Sequence, residues 1–218
     1  MIRQLWAEAL GSFFLFATVI GSGIMGETLA GGNTAVALLA NTGATAAILF
    51  VLIAMLGPVS GAQFNPAVTL VLRLRGGETT RSAMAIVAAQ LAGGVLGVIA
   101  AHAMFEQPLV QVSQHIRSGA GQWLAEGIAT FGLITTILLT ARHRPAALAA
   151  SVALYIAAAY WFTASTSFAN PAITVARSLS DTFAGIAPQS VPGFVLSQVA
   201  GAIAAHLFDR HVLEPNAA

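Results

Sequence analysis

The chain has no cysteine and no lysine. Without cysteine there can be no disulfide, no thiolate metal site and no thiol nucleophile. All nine basic residues are arginines, scattered and not striped, so no face is laid out for nucleic acid. Charge of either sign is scarce, at 8% of the 218 residues against about 25% in a soluble domain. So little charge cannot coat a water-facing surface. The five histidines, at 102, 115, 143, 206 and 211, show no ligand-like pairing. No nucleophile–base pair is visible either, so neither an enzyme nor a metal or cofactor site is expected.

What the chain does have is apolar sequence, 57% hydrophobic with a mean hydropathy of +0.81. Six runs reach the roughly 20 residues that a bilayer crossing needs. They are Leu5–Met25, Thr34–Leu56, Arg81–Phe105, Gln122–Ala141, Pro145–Thr163 and Val191–Phe208. The lipid bilayer is therefore the expected solvent. The first run is long enough to span, so it does not read as a cleaved signal.

One triplet occurs twice, as Asn65-Pro66-Ala67 in "SGAQFNPAVTL" and as Asn170-Pro171-Ala172 in "TSFANPAITVAR". Proline is tolerated in the first turn of a helix, where its missing N–H has no intrahelical partner. Asparagine just before it is a favoured N-cap. Each triplet thus predicts the start of a helix over Ala67–Leu72 or Ala172–Leu179, too short to cross alone. Ser60-Gly61 and Ser165-Thr166-Ser167 predict a non-helical lead-in. Irregular backbone at membrane depth is tolerated only inside protein or along a wet cavity, so two such segments predict a pathway.

The chain is also a duplicate. "WAEALGSFFLF" from Trp6 matches "WLAEGIATFGL" from Trp123, and "AQLAGGVLGVIAAHAMF" from Ala89 matches "SQVAGAIAAHLF" from Ser197. Three crossings per half make the second half inverted relative to the first, as in many transport proteins. Seven arginines (3, 73, 75, 81, 142, 144 and 210) fall on one side of this topology, and only Arg117 and Arg177 on the other. The positive-inside rule then puts both termini in the cytoplasm. Half-helices entering from opposite faces would meet by their positive N-terminal ends, with Asn65 and Asn170 offering amides. Such a centre suits small neutral polar molecules and repels cations.

On the two quoted triplet segments, on Glu8 and Glu126 near the start of each half, and on the hydropathy, the chain resembles the major intrinsic protein family, the aquaporins and glycerol facilitators. The resemblance covers essentially the whole sequence. It implies an all-α membrane protein, an aquaporin-like right-handed bundle of six transmembrane helices plus two re-entrant half-helices in an inverted internal repeat. It implies one channel domain over residues 1–218, with repeats of about 1–105 and 121–218, in the inner (plasma) membrane. It further implies a homotetramer with one pore per subunit, passing small neutral solutes and water. Aquaporin-type pores select by diameter, lining and electrostatic barrier.

One position departs from the family. Most members follow the second triplet with arginine; here Ile173 follows, and the next arginine is Arg177. Arg177 lies one turn further along, about 6 Å at about 1.5 Å per residue. Its guanidinium either lines the outer vestibule or snorkels to the headgroups. Carried over by offset from the triplets, the selectivity constriction is Thr45, Ala158, Ser167 and Ile173, a ring without charge, imidazole or aromatic. Such a ring should pass glycerol-sized solutes. The aliphatic residue with "VARSL" resembles the bacterial branch associated with arsenic resistance, which implies passage of trivalent arsenicals such as undissociated arsenous acid. A water-selective channel is the nearer alternative, and a proton-coupled transporter using Glu8 or Glu126 the more distant one.

The remaining residues read as structural. Glu8 and Glu126, acids inside spans, are expected to accept N–H bonds from the irregular loops and not to relay protons, against the general rule for such acids. Gly93 with Gly97, and Gly201 with Ala205, read as close helix packing. Gln90 and Gln198, and His102 and His206, are repeat equivalents expected between helices or at helix ends. Asp181 is a candidate neighbour for Arg177.

Overall fold

The structure, a computed structural model, describes residues 1–213, all helix and connecting loop. The last five residues of the domain read from the sequence lie outside the described residues. Helices α1 (Ile2–Leu29), α2 (Thr34–Ser60), α4 (Thr80–Met104), α5 (Ala120–His143), α6 (Leu148–Phe162) and α8 (Val191–Phe208) supply six apolar spans. Two short helices, α3 (Pro66–Leu74) and α7 (Pro171–Arg177), begin at the two triplets.

Local chemistry sets the ends. Asn33 Oδ1 accepts from the N–H groups of Ala35 and Val36 and opens α2. Gly61, at φ +83°, closes α2 in the left-handed region that glycine enters freely. Thr79 Oγ1 accepts from Ser82 N and opens α4. Helix α2 runs past the expected Leu56 to Ser60, carrying Pro58 in its last turn, and ends only at Gly61, whose N–H donates to the Gly57 carbonyl. Helix α7 stops at Arg177, short of the expected Leu179. There the chain turns to meet the loop before α5: Gln111 N donates to Leu179 O at 3.1 Å and Ser113 N to Ser178 O at 3.0 Å.

Helix α1 packs extensively against α4, and α5 does the same against α8, its repeat equivalent. Glycine makes both approaches possible. A methyl group on Gly93 or Gly97 would run into the Ala9 or Phe13 carbonyl of α1, and one on Gly201 into the Gly127 carbonyl of α5. Phe16, Ile20, Leu52, Ile86 and Phe194 are fully buried, whereas Leu39, Leu96, Leu124, Leu154 and Leu196 face outward. An apolar exterior is what a lipid solvent requires.

Both ends of the described chain lie on one side of the bundle, as an even number of crossings demands. On that side Gln4 Nε2 donates to Glu78 Oε1 at 2.7 Å. There the buried Asp209, on the π-helical turn Asp209–Leu213 that continues α8, accepts from Arg75 at 2.8 Å and Arg142 at 2.6 Å. One carboxylate thus ties together the ends of α3, α5 and α8.

Candidate functional site

Helices α3 and α7 point their N-termini at each other in the middle of the bundle. Asn65 caps α3, its Oδ1 accepting from Ala67 N at 2.9 Å. Asn170 caps α7, its Oδ1 accepting from Ala172 N at 3.0 Å and Ile173 N at 3.3 Å. Each amide nitrogen then reaches across the pseudo-symmetry. Asn65 Nδ2 donates to Ala169 O at 2.7 Å, and Asn170 Nδ2 to Phe64 O at 2.8 Å. Pro66 and Pro171 occupy the first helical positions.

The loops leading into the triplets repeat each other residue by residue. Three positions in each have positive φ: Gly61, Ala62 and Phe64 in the first, Thr166, Ser167 and Ala169 in the second. Five of these six carry a side chain, at about 1–3 kcal/mol of strain each. Buried acids hold that backbone. Glu8 accepts from Ser60 Oγ, Gln63 N, Phe64 N and Gln90 Nε2, at 2.6–2.9 Å. Glu126 accepts from Phe168 N, Ala169 N and Gln198 Nε2, at 2.8, 2.9 and 2.6 Å. Gln90 and Gln198 also bond Thr69 and Thr174, whose hydroxyls return to the Asn65 and Asn170 carbonyls. Sequence reasoning missed Thr69 and Thr174, although each stands four residues after its asparagine.

A cavity of about 270 Å³ passes the two asparagines, and both line it. Its walls are stripes at a spacing of four, one helix face each: Thr45, Leu49 and Ile53 on α2; Val68 and Leu72 on α3; Leu133, Ile137 and Ala141 on α5. Helix α6 adds Leu148, Val152, Ile156 and Tyr160. The arrangement is a long, largely apolar tube with polar groups at its middle and at the end away from the termini.

Of the expected constriction, Thr45, Ser167 and Ile173 line this cavity and Ala158 does not. Ala158 is exposed on the opposite face of α6. It lies two residues from both Ile156 and Tyr160, so about 200° around the helix from each. Counting back from the triplet picked the wrong face. The α6 residue at this level is Tyr160, 4% exposed, whose hydroxyl donates to Thr45 Oγ1 at 3.3 Å. The expectation of a ring without an aromatic is corrected accordingly. The four-residue period from Leu148 to Tyr160 was the signal that would have found it.

Arg177 also lines the cavity, at 3% exposure. Snorkelling to the headgroups is thereby excluded. Its Nε donates to the Ala184 carbonyl, and its guanidinium carbon lies 3.4 Å from the Phe168 ring centroid. Arg117, from the loop before α5, approaches the same ring at 5.3 Å and donates to the carbonyls of Gly185 and Phe183. Burial lowers the Arg117 pKa from its ordinary value, partly offset by the Glu126 carboxylate. Asp181 does not meet Arg177. It accepts from Gln114 N at 2.7 Å and lies 3.8 Å from His115. His102, buried, bonds Leu109 O and Ser180 Oγ, both at 2.9 Å, and so fastens the same loop system.

Six spans, two opposed half-helices and a cavity through their meeting point define a membrane channel of the inverted-repeat kind. The sequence profile described as "MIP: Major intrinsic protein" matches residues 1–157. The chain is 52% identical over 215 residues to aquaglyceroporin AqpS of Rhizobium meliloti (strain 1021), covering 99% of this chain and 92% of that one. The chain therefore belongs to the major intrinsic protein family, a family of passive channels and not of enzymes. Its fold is also that of the X-ray structure of the aquaglyceroporin from Plasmodium falciparum, with a TM-score of 0.78 at 19% identity over 97% of this chain and 96% of that one.

Proposed function

We propose that the chain is an aquaglyceroporin-type channel. It passes small neutral polyols of glycerol size, water and undissociated trivalent arsenicals down their gradients. The observation that carries this reading is Ile173. The position directly after the second triplet puts an aliphatic side chain, and not a guanidinium, into the cavity. A mostly apolar tube with donors only at its centre and one end suits a solute with an apolar backbone and several hydroxyls. Arsenous acid, a neutral trihydroxy molecule, shares that hydrogen-bonding pattern. The relative from Rhizobium meliloti, an aquaglyceroporin by name, supports the same class.

In this reading the chain works as a homotetramer in the inner membrane, with both termini in the cytoplasm by the positive-inside rule. Residues 1–218 are one channel domain. Asn65 and Asn170 orient the passing solute. Glu8 and Glu126 hold the loops, since their oxygens are engaged by backbone N–H groups and by Gln90 or Gln198. Tyr160 and Arg177 favour one second reading, a water-selective pore, because both narrow the far end.

Stopped-flow light scattering on proteoliposomes tests the two readings with water, glycerol and trivalent arsenic in separate runs. Rapid glycerol flux supports the aquaglyceroporin reading, and arsenic flux supports its finer form. Water flux without glycerol flux overturns it in favour of the water-selective pore.

A further inference from the structure

We infer that Arg177 supplies the barrier guanidinium of this pore from one turn beyond the usual place, and that Phe168 is the residue that positions it. The inference deepens the proposed function and depends on it only where glycerol is the probe.

Residues 173 and 177 are one turn apart on α7, so both side chains reach the same cavity wall. An arginine at the end of a half-helix can swing away to the bilayer surface. Arg177 instead stays inside, and three features of its surroundings explain why. Its Nε is spent on the Ala184 carbonyl. Its own carbonyl accepts from Ser180 N at 3.3 Å and Ile186 N at 3.4 Å, which fixes the end of α7. Its guanidinium carbon lies over the Phe168 ring, 3.4 Å from the centroid, within the range of a cation–π contact.

Phe168 is itself held firmly. Its N–H donates to Glu126 at 2.8 Å, and its ring meets Phe194 edge-on at 5.1 Å. Because Phe168 belongs to the loop that carries the second triplet, the same acid that shapes that loop also sets where the guanidinium sits. Among the described residues no carboxylate lies within ion-pair distance of Arg117 or Arg177. Arg177 is buried and Arg117 half-buried beside it, and the Glu126 carboxylate offsets only part of their charge, so a positive field remains at the cavity wall that Arg177 lines. A monovalent cation meets repulsion there. A neutral solute with acceptor oxygens meets the guanidinium's remaining donors.

The test uses the purified full chain in proteoliposomes. Potassium leak is read with a voltage-sensitive dye, and water, glycerol and a five-carbon polyol by light scattering. Arg177→Leu should raise potassium leak by about tenfold or more, and should raise the polyol-to-water ratio severalfold. Phe168→Leu should shift both readouts the same way but less, and Phe168→Tyr, which keeps the ring face, should stay at wild type. The double variant Ile173→Arg with Arg177→Leu returns a guanidinium to the cavity and should restore potassium exclusion. Wild-type leak and ratio in Arg177→Leu overturn the barrier. A Phe168→Leu protein like wild type, beside a responsive Arg177→Leu, overturns the positioning role. If Phe168→Leu does not fold, Phe168→Trp takes its place, since a retained ring face predicts wild-type exclusion and a leak overturns the assignment. A wild type that passes no glycerol defeats the proposed function alone, because the potassium readout still reports on Arg177.

Discussion

Asn65 donates from Nδ2 to the carbonyl of Ala169 at 2.7 Å, the residue directly before Asn170. Asn170 returns the bond to Phe64, the residue directly before Asn65. Each side chain caps its own helix with oxygen and secures the opposite loop with nitrogen. An amide has two N–H donors, so one per asparagine remains for the cavity. The same bonds that make the half-helices meet leave a fixed pair of donors at the meeting point.

That geometry makes the amide irreplaceable by its closest isostere. Asn65→Asp keeps an excellent N-cap oxygen but loses the donor to Ala169 and faces that carbonyl with a negative charge. We expect a loss of roughly 1–3 kcal/mol of stability, and a channel that admits monovalent cations. Thermal unfolding in detergent and ion flux in liposomes check the two effects. An unchanged protein on both counts would sink the cross-loop role.

Glu8→Gln separates a structural acid from a proton carrier. Both Glu8 oxygens accept hydrogen bonds, from Ser60 and Gln63 on one and from Phe64 and Gln90 on the other. A glutamine puts an NH₂ where two donors already point. Hydrogen bonds to a charged group contribute about 1.5–3 kcal/mol each, so the melting temperature should fall sharply. The flux of whatever folds should remain insensitive to uncouplers. A stably folded Glu8→Gln protein that lost uncoupler-sensitive accumulation would identify a coupled transporter instead.

Glycine placement offers an internally controlled prediction. Gly93→Ala drives a methyl group into the Ala9 carbonyl, which belongs to backbone and cannot move aside. Overpacking of this kind costs about 1–3 kcal/mol or more. Gly43, inside α2, has open space where a methyl group would stand. Gly43→Ala should be neutral or stabilise by up to about 1 kcal/mol, the helix-propensity gain. Melting temperatures of the two variants side by side decide the matter. Equal values would mean that α1 and α4 are not in contact through Gly93.

How much of this was readable beforehand divides along one physical line. Features set by the chain's local chemistry were legible. The spans follow from run length, the half-helices from the asparagine–proline pairs, and the acids' burial from their place inside spans. Features set by which way a helix faces were legible only with the right period. Ala158 follows from a count through an irregular loop, where no period holds, and that count steps past Tyr160. The sequence leaves Arg177 between two fates because a long side chain's direction depends on partners elsewhere in the chain. Phe168 and Ala184 are those partners, and nothing local to "VARSL" announces them.

The corrected constriction yields the sharpest contrast between neighbours. Tyr160 spans from α6 to α2 through its bond to Thr45, so its ring and hydroxyl close one side of the cavity. Tyr160→Ala removes that wall and should raise glycerol flux severalfold while changing water flux less, since water already fits. Tyr160→Phe keeps the ring and loses only the bond to Thr45, a change of about 0.5–1.5 kcal/mol. Its glycerol flux should stay near wild type unless the hydroxyl is what holds the ring in place. Ala158→Leu adds bulk two residues away, on the face turned out of the bundle, and should leave every flux unchanged. The alternative, in which Ala158 lines the pore, predicts the reverse: a strong block from Ala158→Leu and little effect from Tyr160→Ala. Light-scattering traces of the three variants with glycerol distinguish the two, because an added leucine can narrow only a pore that it faces.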